Sequence, residues 1–312
     1  MSGSTSNPGE SGAWPTDLHR RVRQQSSRMD PNPTDQAPFL RSLHGIRALA
    51  FDVYGTLVVS AAGDIGLLDP GDRETTIRET IRAVFPEASL PPEADSIDSA
   101  WKAGVNREHN RLRREGGIAF PEVDVREIWA DIVQPLVGST VTPDSPQIAD
   151  LALRFELEVN PVWGMPGWHS VLQAAQAAGL PVGIASNAQF YTPIMLEALA
   201  TTPMTDLGID PACSVWSYRE RIAKPSESLY RKLARRFRRG HRLEPGEILY
   251  IGNDMRNDVA PAAAVGFQTA LFAGDARSLR LREGDPLVGQ TRPDVILTGL
   301  DQLREVVSAL KS

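Results

Sequence analysis

The sequence predicts an α/β protein: a parallel sheet with helices on both faces, interrupted after its first strand by an all-helical insertion. Three observations carry this. The apolar run Ala48-Leu49-Ala50-Phe51 ends at Asp52 and a Gly55-Thr56 turn, the pattern of a buried strand. From about Asp72 to Val159, apolar residues recur at three- and four-residue spacing. After Pro161, short apolar runs alternate with helical periods, the signature of βαβ units.

Residues 1–42 are rich in Ser, Gly, Pro, Asn and Gln, with a basic cluster at Arg20, Arg21 and Arg23. Such a stretch buries too little to offset its ordering entropy, so it is expected to be a disordered tail. It lacks the apolar stretch of a signal peptide. Residues 43–60 and 160–312 form the expected core, and 61–159 the insertion. The insertion's helices are expected at Thr75–Phe85, Ile97–Arg114, Val125–Val137 and Pro146–Val159, separated by Pro and Gly clusters. The core continues with a helix from Gly167, a strand at Leu180–Ala185 and a helix at Ile194–Ala200. Strands then follow at Cys213–Trp216, Ile248–Ile251, Gln268–Phe272 and Val295–Leu297. Helices are expected at Glu227–Arg238 and Val259–Val265, and a closing helix at Asp301–Leu310.

The 312 residues are 41% hydrophobic and 23% charged, ordinary for a globular protein with a real core. A net charge of −6 speaks against nucleic acid or an anionic membrane as partner. No apolar run approaches the roughly 20 residues of a membrane span. The lone cysteine, Cys213, cannot form an internal disulfide and suits a reducing cytoplasm as a small buried residue. His169 and His241 have no metal-ligand partner at a useful spacing, so no zinc site is expected.

In a parallel sheet, residues after each strand's carboxyl end share one rim, where ligands bind. Four groups fall there: Asp52 with Gly55-Thr56, Ser186-Asn187, Lys224-Pro225, and Gly252-Asn253-Asp254-Met255-Arg256-Asn257-Asp258. Asp52 is a candidate nucleophile, and Thr56, Ser186 and backbone N–H groups can hold an anion. Lys224 can neutralise charge, and Asp254 and Asp258 offer hard oxygen ligands for Mg2+. Taken singly each has a plain structural reading: Asp52 as a turn cap, Ser-Asn as a turn, Asp254 and Asp258 as helix caps. Their ordered recurrence at four strand ends is what favours a site.

With these residues in hand, the chain from Ile46 to Leu310 resembles the haloacid dehalogenase-like hydrolase superfamily. Asp52-Val53-Tyr54-Gly55-Thr56-Leu57 matches its first motif, Ser186-Asn187 its second, Lys224-Pro225 its third, and Gly252 to Asp258 its fourth. The resemblance implies a Rossmann-like core, a helical cap inserted after the first motif, and catalysis through an aspartyl-enzyme intermediate. By this carry-over Asp52, Thr56, Ser186 and Lys224 are catalytic. Tyr54, Gly55 and Asn187 contact substrate. Asp52, Tyr54 (through its carbonyl), Asp254 and Asp258 hold Mg2+.

One departure matters. Phosphatases of the family carry a second Asp, the acid/base, where this chain has Tyr54. Asp-x-Tyr-Gly-Thr is similar to the 2-haloacid dehalogenase branch, whose halide leaving group needs no proton. Asp254 and Asp258 point the other way, towards the phosphatase metal site, since three carboxylates in one pocket call for a cation. The expected function is Mg2+-dependent phosphomonoester hydrolysis of a small, anionic metabolite. The alternatives are carbon–halogen hydrolysis of 2-haloacids and a non-catalytic binding member of the fold. In the insertion, Arg111 of the cluster Arg107 to Arg114 is a candidate grip on a substrate anion, set against a solvated helix face. Val58 to Leu68 is a candidate hinge. Tyr230 reads as a packed residue on the helix after Lys224.

Overall fold

A computed structural model describes residues 16–61, 70–92 and 96–310. In chain order its elements are α1 (Asp17–Gln25), β1 (Ala48–Phe51), β2 (Val58–Ser60), α2 (Pro70–Val84), α3 (Ile97–Gly116), α4 (Val125–Val133) and α5 (Pro146–Val159). They continue with β3 (Val162–Gly164), α6 (Trp168–Ala177), β4 (Val182–Ser186), α7 (Tyr191–Ala200), β5 (Val215–Trp216), α8 (Ser217–Glu220) and α9 (Glu227–His241). β6 (Ile248–Gly252), α10 (Ala260–Val265), β7 (Gln268–Phe272), β8 (Val295–Leu297) and α11 (Leu303–Val306) complete the chain.

Six strands form one parallel sheet in the order β5-β4-β1-β6-β7-β8. The chain builds outward from β1 to β4 and β5, then returns to lay β6 on the other side of β1. The order therefore reverses between β1 and β6, and a crevice opens there at the carboxyl ends. All four residues of β1 are fully buried and alternate between the sheet's two faces. Leu49 and Phe51 join a large cluster with α6, α7 and the helices after β2. Ala48 and Ala50 pack against Leu229, Tyr230, Leu233 and Phe237 of α9. The i, i+4, i+8 spacing of Leu229, Leu233 and Phe237 makes that helix amphipathic, its arginines outward. The protein is thus an α/β fold of Rossmann-like form with helices on both faces of the sheet.

Helices α2 to α5 lie between β2 and β3, two three-residue strands paired antiparallel from Val58↔Gly164 to Ser60↔Val162. This ribbon joins the helical layer to the sheet. Local signals set the helix ends: Ser96 accepts from Ser99 N–H at the start of α3, and Gly117 closes it at φ 61°. Trp129 packs edge-on to Phe155 across the α4–α5 contact.

Two expectations are corrected. Part of the presumed tail is ordered: α1 buries Val22 completely and packs between α5 and α7. Arg21 pairs with Asp150 of α5, and His19 Nε2 lies 2.8 Å from Glu197 of α7. The segment is polar in composition, yet buried Val22, the Arg21–Asp150 pair and the His19–Glu197 hydrogen bond hold it against α5 and α7. Residues 1–15 lie outside the described residues. The closing helix is broken: a 3-10 turn over Leu300–Gln302 precedes α11 and another follows at Ser308–Leu310. Most of the expected hinge, 62–68, lies outside the described residues. Among the described residues no helix is long and apolar enough to cross a membrane.

Candidate active site

The rim above β1 and β6 carries a cavity of about 150 Å³, lined by Asp52, Tyr54, Asn187, Lys224, Asn253, Asp254, Asn257 and Asp258. Ser60, Asn160, Ser278, Arg280 and Arg282 complete its wall. Asp52 stands one residue beyond β1, its N–H bonded to the Ile251 carbonyl at 2.9 Å. Lys224 Nζ donates to Asp52 Oδ1 at 2.7 Å and to Asp258 Oδ1 at 2.6 Å. Burial alone would lower the Lys224 ammonium, but Asp258 and Asp52 outweigh it and hold its pKa above the ordinary value. The Lys224 N–H in turn donates to Asn187 Oδ1 at 2.8 Å, so the residue after β4 fixes the lysine's backbone.

Asp258 has both carboxylate oxygens committed. Oδ1 accepts from Lys224 and, at 3.0 Å, from the Tyr250 hydroxyl; Oδ2 accepts from Asp254 N–H at 3.0 Å. Burial pushes its pKa up to about 7, with Lys224 opposing. Asp254 caps a single π turn, Met255–Val259, with Oδ1 accepting from Arg256 N–H at 2.8 Å and Asn257 N–H at 3.1 Å. Capping and site-lining therefore coexist in one carboxylate. Gly252 is required beneath it, because a Cβ there would stand 2.3 Å from Asp258 Cγ.

The remaining sequence candidates divide. Tyr54 lines the cavity, but its hydroxyl lies 2.9 Å from Thr192 Oγ1, and burial raises its pKa well above the ordinary phenol value. Thr56 is buried below the rim, donating to Asn253 Oδ1 at 3.1 Å. Gly55 has φ 78°, and a Cβ there would meet the Ser278 side chain at 2.5 Å. Ser186, at the end of β4, donates to the Asn187 carbonyl at 3.4 Å and does not line the cavity. Arg111 is not brought to the site. It is half-exposed on α3 and bonds Glu108 and Glu115 of its own helix, the solvated-face arrangement. Tyr230 is fully buried in the core, its hydroxyl on the Asn257 carbonyl.

Sequence reading missed Arg280 and Arg282. They follow β7, a fifth parallel strand ending on the same rim. Arg280 N–H donates to the Asn253 carbonyl at 3.0 Å, and the Arg280 carbonyl accepts from Met255 N–H at 2.9 Å. Asn253 Nδ2 donates to the Ser278 carbonyl at 2.6 Å. The segment is thereby stitched onto the Asp254 loop. Arg282 forks onto Asp254, with Nη2 2.7 Å from Oδ2 and Nε 3.3 Å from Oδ1. Arg280 and Arg282 thus add two cations to the cavity wall beside Lys224, Arg282 paired with Asp254 and Arg280 Nη1 on the Arg277 and Leu279 carbonyls. Arg280 and Arg282 lie in the loop beyond the carboxyl end of β7, as the other four groups lie beyond theirs, but in a stretch that carries no motif.

The donor types suit a hard divalent cation: Asp52, Asp254 and Asp258 line one cavity, with Tyr54 on the same wall. Arg282 occupies Asp254 in this arrangement. A separate cluster also escaped the sequence, where His241 lacked a partner. Asp210, Cys213 and His241 place ligand atoms within 4.8 Å of one another. There His241 lies 3.0 Å from Asp210, and burial pushes the Cys213 thiol up to about 12, against a thiolate.

Comparison with known proteins places the fold. The 2-haloacid dehalogenase of Pseudomonas syringae pv. Tomato DC3000 superposes with a TM-score of 0.53 at 15% identity, covering 83% of this chain and 97% of that one. A HAD phosphatase from Thermococcus onnurineus gives 0.43 at 18%, covering 83% and 96%. The L-2-haloacid dehalogenase of Xanthobacter autotrophicus gives 0.43 at 21%, with the same coverage. No curated protein matches by sequence. Residues 46–266 match the family described as haloacid dehalogenase-like hydrolase. The chain belongs to the haloacid dehalogenase-like hydrolases.

Proposed function

We propose that this hydrolase cleaves phosphomonoesters of a small anionic metabolite, using Asp52 as nucleophile and Mg2+ as its cation. One observation carries the reading: Asp52, Asp254 and Asp258 line one cavity, where Lys224 bridges Asp52 and Asp258 and leaves Asp254 to the partly exposed side chain of Arg282. Asp52, Asp254 and the Tyr54 carbonyl are the oxygens that would hold Mg2+, Asp254 once the Arg282 guanidinium has moved off its Oδ2. Bound there, Mg2+ supplies positive charge opposite the phosphoryl oxygens. Lys224 Nζ holds Asp52 Oδ1 at the cavity wall, and Asn187 and Asp258 keep Lys224 in place.

An Asp52 oxygen attacks phosphorus, the P–O ester bond breaks with its electron pair going to the leaving oxygen, which takes a proton from water and departs as the alcohol, and an aspartyl phosphate forms. Water then attacks that phosphorus, releasing inorganic phosphate and restoring the carboxylate. Arg280 and Arg282 supply anion-binding groups at the rim. Helices α2 to α5, as a cap, set which metabolite fits, and the single buried cysteine suits a reducing cytoplasm.

A second reading, hydrolysis of a 2-haloacid, is favoured by the state of Tyr54. Its buried phenol is held by Thr192 and has a raised pKa, so it is a poor proton donor, and halide needs none. The test is phosphate release from an aryl phosphate and a metabolite panel, with Mg2+ and with EDTA. We expect Mg2+-dependent release that Asp52→Asn abolishes while remaining folded. No phosphate release, with halide released from 2-haloacids, would replace the first reading by the second.

A further inference from the structure

We propose that Arg282 is a latch that competes with the divalent cation for Asp254, so that Mg2+ and the substrate anion bind cooperatively. The inference rests on the metal-dependent reading above. Asp254 has no oxygen left for a cation while Arg282 is in place. Oδ1 accepts from Arg256 and Asn257 N–H, and Oδ2 from Asn257 Nδ2 at 2.9 Å and Arg282 Nη2 at 2.7 Å.

Of these donors, the Arg282 side chain is the one that can leave. The two main-chain N–H groups and Asn257 belong to the same turn as Asp254. Arg282 comes from another segment and is on the solvent side of the pair, its side chain 30% exposed against 8% for Asp254. Its backbone is fixed nearby, because Arg280 is bonded in both directions to Asn253 and Met255. The side chain can therefore swing while the loop holds.

Electrostatics makes the two occupants exclusive. A guanidinium and a divalent cation on one carboxylate repel, and the repulsion is strong where water is scarce. An anion in the cavity offers Arg282 another partner, with Arg280 on the same wall. Drawing Arg282 to the anion frees Asp254 for the metal. By linkage, the metal must then tighten the anion equally.

The test is calorimetric titration of the full chain with Mg2+, with and without inorganic phosphate, for wild type, Arg282→Gln, Arg282→Lys and Asp254→Asn. Melting temperatures would verify that each is folded. We expect Arg282→Gln to bind Mg2+ about tenfold tighter than wild type without phosphate, the scale of one charge-assisted pair. Phosphate should tighten Mg2+ binding in wild type and far less in Arg282→Gln. Arg282→Lys should fall between, and Asp254→Asn should lose the signal.

Unchanged or weaker binding in Arg282→Gln would overturn the latch. Should that occur while phosphate release remains Mg2+-dependent, the latch alone fails. Should Arg282→Gln tighten Mg2+ while no phosphate is released from any substrate, the phosphatase reading fails and the latch stands. Binding of Mg2+ to neither would sink both.

Discussion

At the scale of single residues, the site is a charge-balanced cluster in which each carboxylate has a distinct environment. Asp258 is consumed by Lys224, Tyr250 and the Asp254 N–H. Asp254 is a turn cap gripped by Arg282, and Asp52 faces the cavity beside Lys224. Tyr54 has consequences for the substrate. With its phenol on Thr192 and its pKa raised by burial, position 54 offers no acid for an alkoxide leaving group. We therefore expect kcat/KM to fall steeply as the leaving group becomes more basic, by two orders of magnitude or so between an aryl and an alkyl phosphate, the usual worth of a general acid. A rate series over substituted phenyl and alkyl phosphates checks this. A flat series would mean that another group donates the proton.

At the scale of elements, the segment between α3 and α4 ties the helical layer to the sheet. Pro121 bridges Ile222, and the Ala223 N–H donates to the Phe120 carbonyl at 2.8 Å. Within it Glu122 accepts from Ser217 Oγ at 2.9 Å, and burial pushes its pKa from 4.5 to about 7. A carboxyl whose folded pKa is raised binds its proton more tightly when folded. Its ionisation therefore costs stability as pH rises from about 4.5 to about 7. We expect Glu122→Gln to be the more stable protein at pH 8, by about 2 kcal/mol, and to lose that advantage near pH 4.5. Urea midpoints at the two pH values decide it; an equal difference at both would remove Glu122 as the cause. Elements also show what the sequence made legible. Strands β1 and β6 are apolar runs buried on both faces, and β4 and β7 are largely so, with polar residues only at one end, and such runs are visible in a sequence. The β2–β3 ribbon was not, because three residues are too few for alternation to show. Helix α1 was hidden by its polar sequence, since it is held by an Arg21–Asp150 ion pair to α5, a His19–Glu197 hydrogen bond to α7 and buried Val22, contacts that only the fold brings within reach.

At the scale of the whole molecule, topology explains why so much of the site could be read before its geometry was seen. The strand order reverses at β1 and β6, so Asp52 and the Asp254–Asp258 turn had to be neighbours at the carboxyl rim. Asn187 and Lys224 follow from β4 and from the segment beyond β5. Arg280 and Arg282 obey the same rule after β7, but they sit in a loop without a motif, and their role depends on contacts to Asn253 and Asp254 that no spacing encodes. Arg111 lies apart from the cavity, its guanidinium paired with Glu108 and Glu115 of its own helix. The N-terminal segment adds a further tie, with Asn32 N–H donating to buried Asp275 at 2.9 Å beside the arginine loop. The central claim is that Asp52 carries the covalent step. The most direct measurement is mass spectrometry of the protein quenched in acid during turnover of an aryl phosphate. We expect a phosphoryl adduct on the peptide that contains Asp52. Turnover without an adduct, or an adduct on a different residue, would contradict the claim.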